Sequence, residues 1–221
     1  MVRSLSGLEH ATNLTDIDMF GSGIEDISPL ASLDKLTVVR IQETENIRDI
    51  SPLFSLNKLT SLNIGYTPID PKWFSRFPNL AELYAECTLG IDGRMIPHPL
   101  EDLNYIASLK NLEKLNLGDN GISDLTPLTS LVNLKALGLW HNEITDISPV
   151  ASLTNLTSLN LQGNKIIDIR PLVSLTNLSS LELGLNRLNG ESLVIYSNLV
   201  SNGILPTFNH YRPTGTSNDP V

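Results

Sequence analysis

Residues 112–133 read LEKLNLGDNGISDLTPLTSLVN, and two further stretches nearly repeat them: LKALGLWHNEITDISPVASLTN at 134–155 and LTSLNLQGNKIIDIRPLVSLTN at 156–177. A fourth copy begins at residue 178 as LSSLELGLN. Equivalent asparagines stand at steps of 22 residues, at Asn120, Asn142, Asn164 and Asn186. A fixed period of this length predicts a solenoid, in which stacked coils bury a core that no single coil could bury alone.

Each repeat begins with a strand-like segment. In the copy at 134–155, Leu137 and Leu139 alternate with Gly138 and Trp140. This is the period of a β-strand with one buried face, and stacking of equivalent coils makes the sheet parallel. Eight such cores are recognised, beginning at Leu14, Leu36, Leu59, Leu80, Leu112, Leu134, Leu156 and Leu178.

The second part of each repeat predicts a tight turn followed by a short helix. We expect Asn142 to bond the backbone of its own turn and of the next coil, because its amide carries both donors and an acceptor. Ser148 is expected to cap a short helical turn in which Pro149 takes the first position. In the first half of the chain the asparagine position holds hydroxyl residues, which can replace only part of this bonding: Ser22, Thr44, Thr67 and Thr88.

The sequence therefore predicts an α/β solenoid. It is expected to be curved, with a parallel sheet of about eight strands on the concave face, short 3-10 or helical turns on the convex face, and a C-terminal helical cap. Residues 190–202 predict the cap helix, with Leu193, Tyr196, Leu199 and Val200 facing inward and Gly203 ending it.

The expected domain boundaries follow from where the repeat pattern is regular and where it stops. They are a partial repeat or truncated N-terminal cap at 1–13, repeats at 14–188, a C-terminal cap at 189–209 and a tail or linker at 210–221. The repeats are irregular at 14–111, where an insert of about ten residues falls at 89–98, and regular at 112–188. Because the chain opens in mid-repeat, we expect either a fragment of a longer protein or an abbreviated cap at Ser4 to Asn13.

Composition excludes several classes of partner. The 221 residues carry a net charge of −9 with the two signs interspersed, which argues against a nucleic acid or an anionic membrane as partner. No apolar run is long enough to span a membrane, and no signal peptide opens the chain. The single cysteine, Cys87, allows no disulfide within the chain and is expected to be a half-buried rim residue. A single cysteine fits a protein of a reducing cytoplasm and an exported bacterial protein equally.

The core pattern L-x-x-L-x-L-x-x-N-x-I/L and the D-I-x-P-L element, seen at Asp26 to Leu30 and Asp168 to Leu172, resemble the 22-residue class of bacterial leucine-rich repeats. Internalins and related surface proteins belong to this class. The resemblance covers essentially residues 4–202, without an internalin-type helical N-terminal cap or a clear immunoglobulin-like domain. It implies a monomeric, non-catalytic module that binds a protein with its concave face, extracellularly or on the bacterial surface, in adhesion or host interaction. The alternatives are a cytoplasmic scaffold or regulatory subunit, and a purely structural spacer.

Strand alternation identifies the residues that line the concave face. Aromatic and charged side chains there differ from the small or amide residues of the most regular repeats, and such residues dominate binding interfaces. The alternative is that each aromatic ring only covers the backbone of its neighbours. The candidate binding residues are Phe20, Arg40, Gln42, Tyr66, Glu82, Tyr84, Glu86, Lys114, Asn116, Trp140 and His141.

Catalytic and cofactor sites are not expected. The histidines show no metal-ligand spacing, and no glycine-rich phosphate loop is present. Glu82 and Glu86 share a strand face, but two strand steps are wide for paired acid–base chemistry. We therefore expect no enzyme activity, no cofactor and no metal.

Overall fold

The computed structural model describes residues 4–87, 100 and 102–204 of the protein. Within them, eight strands of three residues each form one parallel sheet whose strand order follows the chain. They are β1 (Asp16–Asp18), β2 (Val38–Arg40), β3 (Ser61–Asn63), β4 (Glu82–Tyr84), β5 (Lys114–Asn116), β6 (Ala136–Gly138), β7 (Ser158–Asn160) and β8 (Ser180–Glu182). The predicted solenoid with its eight-stranded, open and curved sheet is confirmed.

The core is a stack of equivalent side chains. The middle residues of neighbouring strands stand in register, as Leu115 does with Leu137 and Leu137 with Leu159. These leucines are almost completely buried. Each fully buried leucine contributes about 2 kcal/mol of hydrophobic stabilisation. Because each coil buries its leucines against the coils on either side, the repeat period itself fixes the register of the sheet.

Short 3₁₀-helices occupy the side opposite the strands. They are Leu8–His10, Ser28–Ser32, Ser51–Ser55, Pro71–Arg76, Leu103–Tyr105, Thr126–Ser130, Ser148–Ser152 and Arg170–Ser174.

The cap of these helices differs from the prediction. Ser148 is the first helical residue, and it is Asp146 whose carboxylate accepts the Ser148 N–H at 2.8 Å and the Ser148 hydroxyl at 2.9 Å. The aspartate two residues before the helix suits this role better than serine because its ionised carboxylate is acceptor-only and reaches two donors at once. The same N–H to carboxylate bond recurs in other coils, for example at Asp26, Asp49, Asp124 and Asp168.

The buried asparagines join successive coils. Asn142 Nδ2 donates to the carbonyls of Leu139 in its own turn and of Leu117 in the preceding coil, both at 3.0 Å. Its Oδ1 accepts from the N–H groups of Asn120 and Ile122, also in the preceding coil. The expected bond to its own turn is confirmed, but the expected bond to the next coil was wrong in direction. The amide reaches backward because both of its ends find partners in the preceding coil, Oδ1 in the Asn120 and Ile122 N–H groups and Nδ2 in the Leu117 carbonyl.

Hydroxyl residues at the same position make fewer bonds, as predicted. Thr67 Oγ1 donates to the Ile41 carbonyl at 2.8 Å, and Thr44 Oγ1 also bonds the Ile41 carbonyl. Ser22 Oγ is buried and has no hydrogen-bond partner in the part of the chain that the structure describes.

A C-terminal helix, α1 (Gly190–Ser201), follows the last coil. Asn189 caps it by accepting the Ser192 N–H, and Gly203 ends it with a φ of 95° that favours glycine. Ser192 is buried, and Ile195, Tyr196 and Leu199 pack against the core. The expected inward position of Leu193 was wrong. The face of the helix that packs on the core contains Ser192 and Ile195, and Leu193 is 54% exposed.

Several predicted features lie outside the described residues. They are Thr88, the insert at 89–98, and the tail at 210–221. Among the residues that the structure does describe, no helix combines the length and apolar character needed to span a membrane.

Candidate functional site

The concave face consists of three rows of side chains that run across all eight coils. The first and second rows come from the first and third residues of each strand, and the third row comes from the residue two positions later. The third row contains Phe20, Gln42, Gly65, Glu86, Gly118, Trp140, Gln162 and Gly184. A turn row follows, made of Gly21, Glu43, Tyr66, Cys87, Asp119, His141, Gly163 and Leu185.

Every residue of the turn row has a left-handed backbone, with φ between 41° and 70°. In seven coils the N–H of this residue donates to the third-row carbonyl of the following coil, as Tyr66 does to Glu86 at 2.9 Å and His141 to Gln162 at 2.7 Å. The bond prolongs the sheet past the strand and holds even bulky residues in a conformation that usually favours glycine. Tyr66 and His141 are thereby carried to the rim of the concave face.

The first two rows hold a small polar cluster at the centre of the sheet. Glu82 Oε1 pairs with Lys114 Nζ at 2.8 Å, and Glu82 Oε2 accepts from the hydroxyls of Ser61 and Tyr84 at 3.1 and 3.3 Å. Burial alone would raise the pKa of Glu82, but Lys114 and the two hydroxyls together lower it. Glu82 is therefore an anion already committed to residues of this chain.

Glu86 lies in a different environment, two rows and four residues further along the same coil. Its side chain is buried, and its Oε1 accepts from Asn116 Nδ2 at 2.6 Å. Its Oε2 leans over Gly65 of the preceding coil, 2.8 Å from where a Cβ on that glycine would stand. Burial raises the pKa of Glu86 to about 7. The two glutamates are thus held in separate hydrogen-bond networks.

Trp140 uses a second glycine in the same row. Its indole ring occupies the space that a side chain on Gly118 would fill, and the His141 ring similarly covers Gly163 of the next coil. The two rings meet edge to face, with their centroids 5.4 Å apart. The third row therefore presents Trp140 as a half-buried ring lying flat on the sheet.

The predicted site residues differ widely in exposure. Phe20 and Tyr66 are 48% and 38% exposed, and His141 is also exposed. Arg40, Glu82, Lys114 and Trp140 are half-buried. Gln42, Tyr84, Glu86 and Asn116 are buried, with Tyr84 only 7% exposed. A trough in the centre of the face is lined by Tyr84, Lys114, Asn116, Ala136, Gly138, Ser158 and Asn160.

Cys87 was expected to be half-buried, and this was wrong, because its exposure is only 4%. Burial, with Asp119 beside it, raises the pKa of its thiol to about 11. The thiol form is therefore favoured at neutral pH, and the thiol is a weak nucleophile. Among the described residues, no group of three or more acidic, histidine or cysteine side chains is placed to hold a metal ion.

Two buried acceptors of the concave face lack a donor within the described part of the chain, and only one of them, Gln42, is among the candidate residues named from the sequence. Gln42 Oε1 and Glu182 Oε2 have no hydrogen-bond partner among the described residues. For Gln42 the sequence carried a signal, because the next residue of the third row, Gly65, has no side chain that could bond the Gln42 amide.

Comparison with known proteins places this geometry in a family. A model of tandem leucine-rich repeats matches residues 110–152 and 132–172. Among curated protein sequences, none matches the chain. The solved internalin InlF of Listeria monocytogenes is 33% identical with a TM-score of 0.67, and the match covers 85% of this chain and 59% of InlF. The chain thus spans less than two thirds of that relative.

A second internalin matches over more of its own length. Internalin C2 of Listeria monocytogenes is 31% identical with a TM-score of 0.69, and the match covers 85% of this chain and 76% of C2. A leucine-rich repeat protein of Leptospira interrogans, at 20% identity and a TM-score of 0.62, shares the fold over 88% of this chain and 60% of its own. Leucine-rich repeats of this kind are protein-binding modules, and the internalin-like family is generally non-catalytic. On the repeat pattern, the concave sheet and these matches, the chain belongs to the internalin family of bacterial leucine-rich repeat proteins.

Proposed function

We propose that the chain is the repeat domain of a secreted or surface-attached bacterial protein and that it binds a partner protein through its concave face. The observation that supports this most directly is the set of accessible aromatic side chains on an otherwise polar sheet: Phe20, Tyr66 and Trp140. Aromatic side chains on a rigid support bind with little loss of conformational entropy.

The support beneath these rings is rigid for identifiable reasons. The Trp140 ring rests on Gly118. The backbone N–H of Tyr66 donates to the backbone carbonyl of Glu86, which fixes the backbone that carries the Tyr66 ring. By strand spacing, Tyr66 and Trp140 stand three coils apart, or about 14 Å. That span suits the face of a folded protein better than a small molecule, because the central trough of the sheet includes neither ring.

A binding comparison tests the proposal. Immobilised wild-type protein, the double variant Tyr66→Ala with Trp140→Ala, and the control Tyr105→Ala are exposed to extracts of host-cell surface proteins and of bacterial cytosol. Tyr105 is 39% exposed, close to the exposure of Tyr66, but it lies on the convex 3₁₀-helix Leu103–Tyr105. We expect a partner that binds the wild type and the control and is lost from the double variant. Equal binding by all three would remove this face from consideration.

The same experiment addresses the location of the protein. A partner from the host surface supports adhesion or host interaction, whereas a partner only in the cytosolic extract supports a scaffold or regulatory subunit. Protease treatment of intact bacteria gives an independent measurement, because a surface-attached protein is cleaved while the cells stay whole.

A further inference from the structure

We propose that Glu86 and Gln42 together form a subsite on the concave face that receives a cationic side chain of the partner, an arginine or a lysine. This inference rests on the proposed function and specifies the chemistry of the partner at one point of the same face.

The two side chains belong to the coils on either side of one glycine, Gly65. Gln42, Gly65 and Glu86 are consecutive members of the third row, in the second, third and fourth coils. The coils of Glu86 and Gln42 are two strand spacings apart, about 10 Å. The Glu86 carboxylate leans over Gly65, in the coil between them, and so spans about half of that distance. Gly65 brings no side chain of its own between the Glu86 carboxylate and the coil of Gln42.

One buried acceptor in this area lacks a donor among the described residues. Asn116 Nδ2 serves Glu86 Oε1. Gln42 is nine-tenths buried, and its Oε1 has no donor among the described residues. A buried acceptor without a partner costs free energy, which a ligand with several N–H donors would recover. Guanidinium and ammonium groups carry several donors and the charge that a carboxylate favours.

Aromatic rings stand on both sides of the subsite. Tyr66 follows Gly65 in the same coil, and the Trp140 ring lies over Gly118, the neighbour of Glu86 on its other side. A cation beside the face of such a ring gains further electrostatic stabilisation. The nearby cation Lys114 does not compete for Glu86, because it is paired with Glu82.

Binding of a cation should depend on pH, because it requires Glu86 to be ionised. The charged and titratable groups on the surrounding coils are Arg40 and Glu43 from the second coil, Tyr66 from the third, Glu82, Tyr84 and Cys87 from the fourth, and Lys114 and Asp119 from the fifth. Burial raises the pKa of Glu86 to about 7 in the free protein. Affinity should therefore increase about tenfold between about pH 6 and about pH 8.

The test uses a small probe and its uncharged counterpart. Isotope-labelled protein is titrated with N-acetyl-arginine amide and with N-acetyl-citrulline amide, which has the same shape without the charge, and backbone amide shifts are followed by NMR. We expect saturable shifts at Gly65 and Gly118 with the arginine probe only. Glu86→Gln should weaken binding at least tenfold, because it keeps an acceptor for Asn116 and removes the charge. Glu113→Gln, on an exposed ion pair outside the rows, should bind as the wild type does.

Three results would overturn the proposal: no saturable shift with the arginine probe, an equal response to citrulline, or unchanged affinity in Glu86→Gln. Gln42→Met serves as a second variant in case Glu86→Gln is poorly folded, and it should also weaken the arginine probe. If these titrations fail while partner capture still depends on Tyr66 and Trp140, the concave face remains the binding surface and only the cationic subsite is wrong.

Discussion

The Trp140 indole lies on Gly118 of the preceding coil, in the space that any side chain there would need. The two residues are 22 positions apart and occupy the same row of neighbouring coils. A single glycine thus determines how the only tryptophan of the concave face is presented.

Gly118→Ala should displace the Trp140 ring, because the added methyl group would overlap it. We expect a loss of about 1–3 kcal/mol in the free energy of unfolding and a more solvent-exposed ring. Tryptophan fluorescence in a Trp73→Phe background measures the change in exposure, and urea denaturation measures stability. Gly190→Ala is the control, since a Cβ there meets nothing within 4 Å. Identical emission spectra for Gly118→Ala and its parent would contradict this packing.

Glu86 makes the stability of the protein depend on pH in an unusual direction. Its folded pKa of about 7 lies above the ordinary value of 4.5, so the native state holds the proton more tightly than the unfolded chain between these values. The free energy of unfolding should therefore fall as pH rises through this window, by up to about 3 kcal/mol from this carboxyl group. Glu86→Gln should flatten the dependence and be the more stable protein at about pH 8.

Urea denaturation at a series of pH values measures this effect. Glu113→Gln again provides a matched control, because that carboxylate is exposed and paired with Lys135. Parallel pH profiles for the wild type and Glu86→Gln would show that Glu86 titrates normally.

Asn142→Ala should destabilise the solenoid by about 3 kcal/mol. The change leaves the buried N–H groups of Asn120 and Ile122 without their acceptor and the Leu117 carbonyl without its donor. The control is Asn133→Ala, whose exposed side chain makes one bond, to the Lys110 carbonyl, and which should cost less than about 1 kcal/mol. Thermal unfolding of the two variants compares them directly, and equal losses would argue against a special role for the buried amide.

Leu185→Asn should stabilise the protein by about 0.5–1 kcal/mol. Leu185 is 73% exposed and has a φ of 58°, a conformation that asparagine tolerates better than leucine. Val132→Asn removes a similarly exposed apolar side chain outside the turn row and controls for loss of surface hydrophobicity. A rise in melting temperature for Leu185→Asn alone is expected, and equal shifts in both variants would assign the effect to the surface rather than to the backbone.

The strands, their register and the convex helices could be predicted because each follows from residues that recur in every coil. Leu137 and Leu159 specify the same buried position, and Pro149 and Pro171 mark the same turn. The direction in which Asn142 bonds could not be predicted, since both neighbouring coils offer backbone groups and only the folded path decides between them. Asp146 was missed as the cap because the prediction placed Ser148 just before the helix, whereas the helix begins at Ser148.

Less of the candidate site was accessible to sequence reasoning. The residues that face the concave side follow from strand alternation, but their burial depends on neighbours 21 to 32 positions away. Glu86 is buried between Gly65 and Gly118, and neither glycine adjoins it in the chain. The left-handed turn row has a signal in Gly21 and Gly163. Tyr66 and His141 do not show this signal, because they are not glycines and a backbone hydrogen bond to the next coil imposes the left-handed conformation on them.

The sheet is built in strict chain order, with every strand paired only to its predecessor and its successor. Duplicating one 22-residue unit in the gene would therefore insert one more coil and leave the connections of all other coils unchanged. The length of the concave sheet can thus change in whole steps of one coil, while the side chains of the existing coils stay the same.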